Sequence, residues 1–115
     1  MNNVLQSLDE AGCDIDAALK RTLDDEEFLL DCIEMVVKDP GFDELGKQVR
    51  AQRPKEAFEA AHSLKEICAN TGLVPLNDVL HGIVEKLRVG ECDGLEPQYE
   101  ALMEKRAVIE GMLDR

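Results

Sequence analysis

Apolar residues in this chain recur at three- and four-residue spacing, and no segment alternates apolar and polar residues as a half-buried strand would. Leu76, Leu80, Ile83 and Leu87 show it most plainly, marking a helix face turned to a bundle interior. Breakers divide the chain into helical lengths. The pattern predicts a short helix over 2–11 ended by Gly12, and a second, capped by Asp14, to about Thr22. Asp24-Asp25-Glu26-Glu27 is a capping-box arrangement, with acids where a helix N-terminus favours them. The helix it opens carries Phe28, Leu29, Ile33, Val36 and Val37 and stops at Asp39-Pro40-Gly41. Phe42–Gln52 continues it, offset by that break. Pro54–Gly72 is one helix with proline in its first turn and glycine past its end. Gly90 ends the Leu76–Leu87 helix. A last one, from about Leu95 to Leu113, sets Leu95, Tyr99, Leu102, Ile109 and Leu113 on one side. Short connections turn neighbours antiparallel. The expected fold is all-α: an antiparallel up-and-down four-helix bundle with short additional N-terminal helices, one domain over 1–115.

The residue palette agrees. Three Phe, one Tyr and no Trp leave the core to Leu, Ile, Val, Ala and Met, which favour helix over sheet. A hydrophobic share of 44% excludes a disordered tail despite 33% charged residues. A formal charge of −12 argues against nucleic acid and anionic membranes as partners, and favours a monomer. No run approaches the ~18 apolar residues of a membrane span. The N-terminus MNNVLQSLDE has no signal-peptide pattern, so a cytoplasmic protein is expected. Cys13, Cys32, Cys68 and Cys92 show no CxxC or CxxxxC spacing. Small, buried, reduced thiols explain them better than a zinc site or disulfides.

His62 stands out on the Pro54–Gly72 helix. Ala57, Ala61, Leu64, Cys68 and Thr71 form a small apolar stripe there, and His62 falls roughly 150° from its centre, on the solvent face. Its neighbours one turn away are Phe58, Lys65, Glu66 and Ala69. An exposed imidazole with a lysine three residues on is a candidate for chemistry with an anion.

Ala61-His62-Ser63-Leu64-Lys65, followed by Cys68-Ala69-Asn70-Thr71-Gly72-Leu73, resembles the signature helix of histidine-containing phosphotransfer (HPt) domains. That pattern has a His, a Lys three residues on, a Gly next to it, small residues a turn later and a closing Gly. Glu66 stands where the first of those glycines belongs. Gly12–Arg21 resembles the lead-in helix of many such domains, and Asp25–Leu30 the start of their first bundle helix. The resemblance implies a stand-alone phosphocarrier in which His62 is the phosphoacceptor and Lys65 stabilises the phosphoryl group. Phe58, Glu66 and Ala69 are then the binding surface. The implied partners are response-regulator receiver domains, with a hybrid sensor histidine kinase as a further candidate. The Mg²⁺ of the reaction belongs to the receiver, and no cofactor is expected on this chain.

The chemistry is coherent. An imidazole lone pair can attack phosphorus to give a reactive phosphoramidate. One lysine at a wet surface contributes about 0.5–1 kcal/mol, enough to steady a phosphoryl group without trapping it. Neither GxxxxGK[ST] nor GxGxxG occurs, so no ATP-dependent kinase activity is expected. Glu66 adds bulk and negative charge beside a phosphohistidine, which opens an alternative: a degenerate HPt-like interaction module that binds receivers without carrying phosphate. An acidic helical scaffold outside phosphorelay is the third reading. Elsewhere, His81 invites three readings: a second phosphoacceptor, a metal ligand with His62, or a boundary residue satisfied by water or backbone. Arg50, Arg53 and Lys55 form a basic cluster that either steers an acidic receiver or only balances nearby acid. Asp24, Asp25, Glu26, Glu27, Asp31 and Glu34 lack the spacing of a calcium loop, and capping and solvation explain them better.

Overall fold

The computed structural model describes residues 2–113 and, among them, contains helices and no strand. The chain runs through α1 (Asn3–Glu10), α2 (Ile15–Arg21), α3 (Glu26–Val37), α4 (Gly41–Arg50), α5 (Pro54–Asn70), α6 (Val74–Arg88) and α7 (Glu96–Leu113). The ends follow local chemistry. Side-chain oxygens of Asn2, Asp14 and Asp25 accept the free N–H groups of Val4, Ala17 and Phe28 at the first turns of α1, α2 and α3. Proline opens α5, where a missing N–H costs nothing.

The expected capping box does not form. The cap of α3 is Asp25, not Asp24, so the third helical position falls on Phe28, which has no carboxylate to reach back with. Asp24 instead takes a left-handed turn conformation at φ 64°. Glu26 accepts the backbone N–H of Asn2 at 2.6 Å and ties the start of α1 to the start of α3.

Helices α4, α5, α6 and α7 pack in chain order, and α7 also packs against α4, α3 and α1. Helices α5, α6 and α7 contribute the apolar faces read from their periodicity. Leu76, Leu80, Ile83 and Leu87 are buried on α6, and Tyr99, Leu102, Ile109 and Leu113 on α7. Phe42, Leu45 and Val49 of α4 complete the centre.

Gly46 sets the approach of α4 to α7. A Cβ there would lie 2.5 Å from the Tyr99 ring, so only glycine lets the ring seat against the helix backbone. Tyr99 then donates its buried hydroxyl to the carbonyl of Phe42 at 2.8 Å. At the other end of α5, Gly72 holds φ at +73° and presses on the Asp14 backbone, where a Cβ would sit 2.4 Å from the Asp14 carbonyl oxygen. The Asp14 N–H donates to the Gly72 carbonyl at 2.8 Å, joining the cap of α2 to the end of α5. Arg21 adds a second tie by donating to the Ala69 and Asn70 carbonyls, which α5 leaves free at its C-terminus.

No helix among the described residues is long and apolar enough to cross a membrane. Cys13, Cys68 and Cys92 are buried free thiols, as the spacing suggested, while Cys32 is only half-buried.

Candidate functional site

The site is built on the outer face of α5. Ala57, Ala61, Leu64 and Cys68 bury the inner face, which turns His62 outward with half of its side-chain surface exposed. Lys65 is partly buried, Glu66 and Ala69 are exposed, and Ala61 lies fully in the core.

Two contacts define the imidazole. Its Nδ1 lies 3.5 Å from the Glu66 Oε1, one turn on. Its ring stacks on Phe58, one turn back, with centroids 5.6 Å apart and planes at 15°. Phe58 in turn lies under the Arg88 guanidinium of α6, 5.5 Å from the ring centroid. Arg88 of α6 and His62 of α5 therefore both pack on the Phe58 ring. Nδ1 faces the carboxylate, and among the described residues Nε2 on the opposite ring edge has no partner.

Lys65 does not sit over His62. Its Nζ lies 3.2 Å from the Nδ1 of His81, on α6. An ammonium has only donors, so in a hydrogen bond of this pair the His81 Nδ1 is the accepting nitrogen. His81 thus meets the Lys65 side chain across the α5–α6 boundary, a contact the sequence did not suggest. Among the described residues no group of three or more His, Cys, Asp or Glu side chains gathers to hold an ion.

The basic cluster near the start of α5 is also partly committed. Arg50 pairs with Glu96 at 3.0 Å and lies over the Tyr99 ring, which turns it toward α7. Phe58, expected as a docking contact, is half-buried against the core and is contacted by both His62 and Arg88.

Sequence reasoning thus located His62, Phe58, Lys65, Glu66 and Ala69 on one helix. It missed Arg88 altogether and did not foresee the contact of His81 with Lys65. Both depend on how α5 and α6 pair. The two contacts that cross the boundary join 65 to 81 and 58 to 88, each pair summing to 146. Two antiparallel helices in register give that constant sum, and the short 71–73 turn sets the register. Comparison with family models, with curated proteins and with solved structures found no match to this chain.

Proposed function

We propose that this chain is a histidine phosphotransfer protein, relaying a phosphoryl group between His62 and receiver-domain aspartates in two-component signalling. The observation that carries the reading is the half-exposed His62 imidazole, held by Phe58 on one face and Glu66 at Nδ1, with Nε2 uncommitted. The HPt resemblance along α5 supports it. So does the packing of α4 to α7: with α3 and α4 taken as one broken helix, these elements would supply the four members of the up-and-down bundle such a carrier needs, α1 and α2 being the additional helices. The constant sum of the α5–α6 pairs is the register of antiparallel neighbours.

In the forward step the Nε2 lone pair attacks the phosphorus of an aspartyl phosphate. The Nε2–P bond forms as the P–O bond to the aspartate breaks, and the carboxylate leaves with the bonding electrons. Nδ1 keeps its proton, facing Glu66, through the transfer. Lys65 swings from His81 toward the new dianion, a move that breaks one surface contact to make another. The Mg²⁺ and the acidic pocket belong to the receiver. The decisive experiment is incubation with a phosphorylated receiver domain. Acid-labile, base-stable label on the wild type and none on His62→Gln is the expected result; label persisting on His62→Gln would remove His62 from the reaction.

Glu66 favours a second reading. Its carboxylate occupies the space that glycine would leave open, and Lys65 is turned to α6. In that case the chain is an interaction module that binds receivers without accepting phosphate. Receiver binding unchanged in His62→Ala, with no label on the wild type, is its signature.

A further inference from the structure

Between α3 and α5 the surface opens into an apolar groove of about 290 Å³, with Cys32, Met35 and Val36 on one wall and Ile67, Asn70 and Thr71 on the other. It exists because α3 packs on α7 and α2 while α5 packs on α4 and α6, so the two helices flank the gap without filling it. Phe28, Cys32 and Met35 stand at steps of four and three along α3, one face of that helix. Phe28 is 55% and Met35 74% exposed, although both are large and apolar. Beside this stripe run the carboxylates of Glu27, Asp31 and Glu34, and Asp39 closes the end of the groove. Lys38 is the cation among them, and Arg21 reaches the far wall, where it donates to the Asn70 carbonyl.

We propose that this groove docks a helix of a partner protein, one whose apolar stripe is flanked by lysine or arginine. Spacing selects a helix, since anchors at i, i+4 and i+7 on α3 match those of an amphipathic helix lying along it. The rim selects the charge, because four carboxylates outnumber the two cations, Lys38 and Arg21, and Arg21 is held on backbone carbonyls. A small molecule suits the groove poorly. Its volume is at the foot of the ~300–1,000 Å³ range of ligand pockets, and it lies open to solvent. A second copy of this chain suits it poorly too, since a net charge of −12 sets acid against acid. The groove also leads to the imidazole. Asn70, Glu66 and His62 follow one another at four-residue steps on α5, so a helix seated here brings its protein beside His62. The inference holds whether or not His62 carries phosphate.

The test is titration of the isotope-labelled full chain with a helical peptide of about 18 residues, long enough at ~1.5 Å per residue to cover α3. The peptide carries a leucine stripe flanked by lysines; a control replaces the lysines with glutamates. Amide shifts concentrated at residues 28–36 and 67–71 are expected, with the Cys32 thiol protected from a disulfide reagent and no binding of the control. Met35→Glu should weaken binding by about tenfold or more while leaving the melting temperature in place, because that side chain stands in solvent. Shifts scattered over the acidic surface, equal binding of the two peptides, no binding of either, or an affinity indifferent to Met35→Glu would each overturn the proposal. So would a dimer in sedimentation that Met35→Glu dissociates, which would make the occupant a second copy.

Discussion

Glu66 acts on the chemistry through charge and through bulk, and two substitutions separate them. A like charge one helical turn from a phosphohistidine costs a few tenths of a kcal/mol when solvated. Glu66→Gln removes the charge and keeps the bulk, so it should shift the phosphorylation equilibrium by only about twofold. Glu66→Gly removes both. A gain in transfer rate well beyond twofold in the glycine variant alone, read by label transfer from a phosphorylated receiver, identifies steric obstruction. His62→Gln should melt within about 0.5 kcal/mol of the wild type, since the fold makes no buried use of the imidazole; thermal denaturation checks it. At this scale the sequence was legible along α5 and opaque across to α6. Helical periodicity places Phe58, Lys65, Glu66 and Ala69 around His62 from residue numbers alone. That Lys65 reaches His81, and that Arg88 covers Phe58, depends on the register of two helices, which no single-helix pattern contains.

Between elements, close approach is what matters. Gly46→Ala places a methyl 2.5 Å from the Tyr99 ring and forces α4 and α7 apart, at a cost of about 1–3 kcal/mol typical of overpacking. Urea unfolding should show a lower midpoint for that variant with an unchanged slope. At the N-terminus of α3, Asp25→Ala should cost about 1 kcal/mol by freeing the Phe28 N–H, while Asp24→Ala should leave helix capping untouched. The contrast measures where the cap sits. Helix spans were readable because glycine, proline and apolar spacing act locally. The cap was misread by one residue because Asp24 and Asp25 are both good caps, and only the backbone turn at Asp24 decides between them.

For the molecule as a whole, buried thiols make stability depend on alkaline pH. Burial, reinforced by Asp9, raises the Cys13 thiol from 9.0 to about 11. Burial, reinforced by Asp39, raises the Cys68 thiol from 9.0 to about 12. Both hold their protons in the folded state after the unfolded chain has lost them. The unfolded state therefore binds fewer protons above pH 9, and stability falls with rising pH. The contribution is whole below about pH 9 and is lost as pH climbs toward 11 and 12. Denaturant midpoints taken between pH 8 and pH 10.5 should decline, and Cys68→Ala should flatten that decline relative to its own value at pH 8. Composition announced an acidic, all-helical chain. It did not announce which thiols lie inside, since that follows from which face of each helix the packing buries.

The closure of α4 on α7 has a spectroscopic consequence. Tyr99 is the single tyrosine in a chain without tryptophan, and it is buried with its hydroxyl on the Phe42 carbonyl and Arg50 above its ring. Intrinsic emission from this protein is therefore the emission of one side chain at one contact, which shares no residue with the face around His62. A partner free of tyrosine and tryptophan that engages His62 without disturbing the fold leaves that light unchanged. One that dims or brightens it has been felt where α4 meets α7.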